Sequence, residues 1–144
     1  MKTLFFTVAI CCSQLIYAQK EVRSTLKTSS LGWKIEQVIQ NDSDTMVYFY
    51  MGFQNMNYQY ITDIWSLYFV SQSELNEFAT KLAQFSLLGK ENVSETIGNY
   101  TLKTYDFTNS IYISDEEDKY TIIPKKKAAK LAEEMKNNSI YLRK

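Results

Sequence analysis

Through residues 45–53 the side chains divide by alternation: Val47, Phe49, Met51 and Phe53 form an apolar row, and Tyr48 and Tyr50 fall on the other row. Successive strand residues face opposite sides of a sheet, so the pattern predicts a strand with one face toward a core and a tyrosine face away from it. Residues 60–70 repeat the design, with Trp65, Leu67 and Phe69 opposite Ser66 and Tyr68. Upstream, residues 34–40 carry Ile35, Val38 and Ile39 and lead into the turn-forming Asn41-Asp42-Ser43-Asp44, which reads as a strand and a hairpin turn. Three consecutive strands joined by short turns imply an antiparallel meander.

The period then changes. Leu75, Phe78, Ala79, Leu82 and Phe85 recur at helical spacing, Ser71-Gln72-Ser73-Glu74 fits a capping box, and Gly89 supplies a stop. Residues 99–107, 110–114 and 119–123 read as strands, with the acidic run 115–118 at the tip of the last hairpin. Pro124 suits the first turn of a second helix with Ala128, Leu131, Ala132 and Met135 on its apolar stripe. The two helix stripes coincide at an offset of 53 residues, as do Leu67 with Tyr120 and Phe69 with Ile122. The expected fold is α+β: one antiparallel sheet of about six strands with two helices on one face, organised as a βββα-βββα pseudo-repeat. Any strand followed by an amphipathic helix would align in the same way, so the repeat rests on architecture and not on residue identity.

The first 18 residues read differently. Lys2, an apolar run from Leu4 to Cys12 and the ending Ile16-Tyr17-Ala18 have the form of a cleavable export signal. The run falls short of the roughly 20 residues a membrane-spanning helix needs, and no transmembrane segment is expected in the mature chain. Lipid attachment at Cys11 would require a small residue just before it. Ile10 is bulky, which favours cleavage near Ala18 and a periplasmic or extracellular destination. Residues 19–30 are polar and rich in Ser and Thr, and they read as a flexible leader or an edge strand ahead of a single domain over residues 31–144.

Composition narrows the chemistry. Both cysteines, Cys11 and Cys12, lie in the signal, so no disulfide is expected. The chain has no histidine, which removes the usual general base, the usual zinc ligand and every Ser-His or Cys-His nucleophile arrangement. Four scattered glycines cannot build a phosphate-cradling loop. No cofactor or metal is expected. Lys plus Arg, at 16, balances Asp plus Glu, at 16, which gives no basic face for nucleic acid.

The remaining candidates are surfaces and carboxylates. Tyr48, Phe49, Tyr50, Phe53, Tyr58, Tyr60, Trp65, Tyr68 and Phe69 crowd two neighbouring strands and their turn. A sheet covered by helices on one side offers its other side to a partner, and tyrosine suits such a face because it combines area with a hydrogen-bonding tip. Tyr48, Tyr50, Ser66, Tyr68 and Tyr112 are the expected binding residues, with Thr121 extending the same face through the second half. The expected function is a small exported, non-catalytic module that meets a protein or a glycan there. Two other readings stay open: the tyrosines line a half-buried sheet as scaffold, or the same face joins a homodimer as a self-associating structural subunit. A carboxylate-dependent hydrolase of an envelope or extracellular polysaccharide would need paired acids, for which Asp63 and Glu36 are the candidates. Lys125, Lys126, Lys127 and Lys130 form a basic cluster suited to an anion or to neutralisation by the acidic hairpin tip. Glycosylation sequons occur at Asn41, Asn92, Asn99 and Asn137, and they matter only in a host that glycosylates exported proteins.

Overall fold

In the computed structural model, which describes residues 21–40, 44–57 and 64–142, eight strands and two helices run in the order ββββα-ββββα. Strands β1 (Glu21–Thr28), β2 (Trp33–Gln40), β3 (Asp44–Gln54) and β4 (Ile64–Phe69) form an antiparallel N-terminal sheet in sequence order. Helix α1 (Gln72–Leu87) follows. Strands β5 (Val93–Ile97), β6 (Tyr100–Thr104), β7 (Ser110–Asp115) and β8 (Tyr120–Pro124) form a C-terminal antiparallel sheet, and helix α2 (Lys125–Asn138) comes next with a short 3-10 turn at Ser139–Tyr141.

The fold is α+β as expected, but the single six-stranded sheet is replaced by two sheets of four. Two strands account for the difference. Residues 21–28, expected as a flexible leader or an edge strand, pair with β2 from Glu21 opposite Gln40 to Thr28 opposite Lys34. Strand β5 was not foreseen, because VSETI carries apolar residues only at its ends and its middle is polar. Among the described residues β4 pairs only with β3, and its meeting with the C-terminal sheet is made by a side chain. The Tyr100 hydroxyl accepts a hydrogen bond from the Tyr68 amide at 2.8 Å.

Alternation and helical spacing both survive in the core. Phe49, Met51, Trp65, Leu67 and Phe69 of the N-terminal sheet join Leu102, Ile111, Ile113 and Ile123 of the other in one buried cluster. The helices complete it: Leu75, Phe78, Ala79, Leu82 and Phe85 of α1, and Ala128, Leu131, Ala132 and Met135 of α2, are all buried. Each helix thus covers sheet and helix together, α1 packing on α2 as well as on strands of both sheets. The 53-residue offset holds for the helix stripes and fails in the strands. Thr121 and Ile123 are the buried residues of β8, one position beyond Tyr120 and Ile122, because β8 runs directly into α2 whereas two residues separate β4 from α1.

Local capping also differs from expectation. The Ser71 hydroxyl makes no cap bond and pairs instead with Ser73 Oγ at 2.8 Å. Lys125 is buried, and its ammonium donates to the carbonyls of Leu88 and Gly89 at 2.8 and 2.6 Å, just past the end of α1. A cation there meets the negative end of the helix dipole, so this lysine holds α1 and is withdrawn from any anion site. Lys126, Lys127 and Lys130 are exposed. Among the described residues no helix is long and apolar enough to cross a membrane.

Candidate functional site

The outward face of the N-terminal sheet is built by the same alternation that builds the core. Across the strands, Lys34 of β2 lies opposite Tyr50 of β3, and Tyr50 opposite Tyr68 of β4. Glu36 lies opposite Tyr48, and Ser66 opposite Gly52. Four of the five expected binding residues, Tyr48, Tyr50, Ser66 and Tyr68, therefore share one open groove of about 330 Å³, with Glu21 and Arg23 of β1 and the apolar Val38 and Met46 completing its lining.

The three tyrosines differ in what they offer. Tyr68 is the exposed one, 42% accessible, with its ring 4.9 Å from that of Tyr48 and its hydroxyl 3.4 Å from the Met46 sulfur. Tyr50 is half-buried. Its ring sits beneath the Lys34 ammonium, 5.0 Å from the centroid, in a cation-π contact. Gly52 leaves the room for it, since a Cβ at that position would lie 3.1 Å from the Tyr50 hydroxyl and 3.3 Å from Ile64. Tyr48 is only 6% accessible, so it supports the groove from below and presents little surface. Its burial is on the outward face, among its neighbours, and not beneath the helices.

Electrostatics explain Tyr48. Its hydroxyl donates to Glu36 Oε2 at 2.6 Å, while Lys34 Nζ reaches Glu36 Oε1 at 2.6 Å. The Lys34 bond, then the Tyr48 bond, hold the Glu36 carboxyl below the usual carboxylate range despite its burial. Burial first, and the bond to Glu36 second, push the Tyr48 phenol up to about 12. Burial also raises the Tyr68 phenol. The chain thus keeps an ionised carboxylate locked between two donors under the groove. This is an anchoring arrangement, unlike the raised, protonated carboxyl that a general acid requires. Asp63, the other expected acid, lies outside the described residues.

Two expectations about the second half are corrected. Tyr112 does not extend this groove. It stands on the C-terminal sheet, where its ring contacts are Tyr105 at 4.9 Å and Tyr120 at 6.3 Å. Thr121, expected on the same face, points the other way and is buried, since β8 carries Thr121 and Ile123 inward. Conversely, Arg23 and Glu21 were missed as groove residues because β1 reads as a polar leader. The signal that would have found them is that Arg23 shares its parity with Glu21, two residues apart on one strand face. Of the sequons, Asn92, Asn99 and Asn137 are exposed and Asn41 lies outside the described residues. Among the described residues, no group of acidic, cysteine or histidine side chains is arranged to hold a metal ion.

Comparison with protein-family models, with characterised proteins and with solved structures finds no match to this chain in any of the three.

Proposed function

We propose that this chain is an exported, non-catalytic binding module that receives a segment of a partner protein in the groove of the N-terminal sheet. The observation that carries the reading is the convergence of Tyr50, Tyr68 and Ser66 with Arg23 and Glu21 on one outward face of a hydrogen-bonded sheet. Tyrosine and arginine are the residues that most often dominate protein interfaces, because they bring large area and directional polar groups at modest entropic cost. Mounting them on strands spares the ordering cost that a loop would incur on binding. Paired ions of both signs beside the rings suit a peptide segment, which carries amides and charges, better than a purely apolar ligand.

The test uses the chain from residue 19 onward as bait against envelope and extracellular fractions of the host. The Tyr50→Ala and Tyr68→Ala double variant should keep its circular dichroism and thermal midpoint and lose the proteins captured by the unaltered chain. Capture of the same proteins by a folded double variant would end the proposal.

A further inference from the structure

The outward face of the C-terminal sheet carries a second aromatic array, unlike the groove in its chemistry. Phe107, in the loop after β6, is 74% exposed and stacks on Tyr105 with centroids 5.4 Å apart and planes 25° apart. Tyr105 meets Tyr112 edge-on at 4.9 Å, and Tyr112 lies near-parallel to Tyr120 at 6.3 Å. The four rings therefore run as a continuous chain from the β6–β7 loop to β8. Phe107 is the exposed end of this array and Tyr105, Tyr112 and Tyr120 are half-buried, so the rings leave a partly open aromatic surface of the kind that marks a binding face.

Register shows what surrounds them. One cross-strand row on this face reads Thr96, Thr101, Ser114, Tyr120, and the next reads Ser94, Lys103, Tyr112, Ile122. The first row consists wholly of hydroxyl side chains, with Thr96 and Thr101 bonded to each other at 2.9 Å. Lys103 is the one charged residue in the two rows. Glu95, which would have added a second charge, points to the helix side and pairs with Lys81 of α1 at 2.6 Å. By contrast, the groove of the other sheet has Glu21 and Arg23 in its lining, with Lys34 and Glu36 beside it.

We infer that this ring chain and its hydroxyl rows form a binding platform for a neutral polysaccharide. The faces of a pyranose present C–H groups that stack on aromatic rings, and its hydroxyls exchange hydrogen bonds with Ser, Thr and Tyr. Phe107 offers exposed ring surface to a sugar, and the half-buried Tyr105, Tyr112 and Tyr120 continue the aromatic contact across the sheet along the path of a linear chain. The lack of clustered cations selects against the alternatives. Nucleic acids and anionic polysaccharides gain most of their affinity from such clusters, whereas Lys103 stands alone in these rows and the exposed Asp106, Glu116, Glu117 and Asp118 border them. The platform is independent of the groove, and either can fail without the other.

The test is retention of the full chain on immobilised neutral polysaccharides (laminarin, xylan and galactomannan) and on anionic alginate, at low salt and at about 0.5 M salt, where charge attraction is screened. At least one neutral support should retain the chain at both salt concentrations. Phe107→Ala and Tyr112→Ala should each weaken that retention by about tenfold, as loss of a central aromatic contact does. Phe107 is exposed, so its variant tests binding without disturbing the fold, and the Tyr50→Ala and Tyr68→Ala double variant should bind the polysaccharide unchanged. The inference is overturned by failure of all three neutral supports, or by retention on alginate alone that vanishes with salt. It is equally overturned if Phe107→Ala and Tyr112→Ala bind as well as the unaltered chain, or if sedimentation shows a dimer that Phe107→Ala abolishes, which would assign the face to a second copy.

Discussion

At the scale of single residues, the Lys34-Glu36-Tyr48 set shows how a sheet tolerates a buried charge. Glu36 is 8% accessible, and an unpaired carboxylate at that depth would cost several kcal/mol, so both its oxygens are engaged by donors. The two titrations carry opposite signs. Glu36, lowered in the fold, contributes stability above the unfolded carboxyl range that is lost as pH falls through its folded value. Tyr48, raised to about 12, contributes stability below its ordinary value of 10.0 that is lost as pH rises toward 12. Replacing Tyr48 with Phe should cost about 1.5–3 kcal/mol at neutral pH by removing a donor from an ionised acceptor. The same variant should flatten the fall in stability between pH 10 and 12, and urea midpoints across that range would reveal both effects.

At the scale of elements, the helices owe their positions to polar anchors as much as to their apolar stripes. Glu134 of α2 accepts from Trp33 Nε1 at 2.8 Å and from the Ser29 hydroxyl, tying the helix to the β1–β2 turn. Lys125 ties the start of α2 to the end of α1, with its amide bonded to the Asn109 carbonyl and its ammonium to those of Leu88 and Gly89. Lys125→Met should therefore destabilise the protein by about 2–3 kcal/mol, because two carbonyls lose a charged donor in a buried setting. Lys126→Met, on the exposed side of the same turn, should stay within about 0.5 kcal/mol. Denaturant unfolding of the pair separates an anchor from a solvated charge run. A periodicity argument treats the three lysines alike, since nothing in the run distinguishes the one whose side chain meets a helix end far away in sequence.

At the scale of the whole molecule, the sheets share one apolar core and, among the described residues, are also linked by hydrogen bonds at two places. Asn55 Oδ1 accepts from the Tyr120 amide at 3.4 Å while the Met56 amide donates to the Tyr120 carbonyl at 3.0 Å, linking the end of β3 to β8. At the other point the Tyr100 hydroxyl accepts from the Tyr68 amide and lies 3.3 Å from the Ser66 carbonyl, which satisfies part of the open edge of β4. Burial raises the Tyr100 phenol, consistent with a neutral hydroxyl working as both donor and acceptor. Tyr100→Phe should leave the Tyr68 amide without its partner, cost about 1–3 kcal/mol and speed hydrogen exchange at that amide relative to the centre of β3. Unchanged protection at Tyr68 would show that the clamp does not hold the sheets together.

Much of this organisation is written in local patterns. The apolar row Val47, Phe49, Met51 and Phe53 and the stripes of both helices were legible because side-chain direction in a strand or helix repeats with a period that the sequence displays directly. The same rule put Tyr48, Tyr50, Ser66 and Tyr68 on one outward face, four of the eight residues that line the groove. What local pattern could not supply was pairing between distant segments: that polar residues 21–28 would complete a sheet, that VSETI would start another, and that Tyr112 would face a different platform from Tyr48. Those outcomes depend on which strand edges meet and on where a hydroxyl such as that of Tyr100 substitutes for a ladder of backbone bonds. By itself, then, the sequence determined which faces are apolar and which chemistries a histidine-free chain lacks. Only the tertiary structure decided that its outward aromatics form two surfaces, one lined by paired ions and one by rows of hydroxyls, because sheet boundaries are set by long-range packing and leave no local periodicity to read.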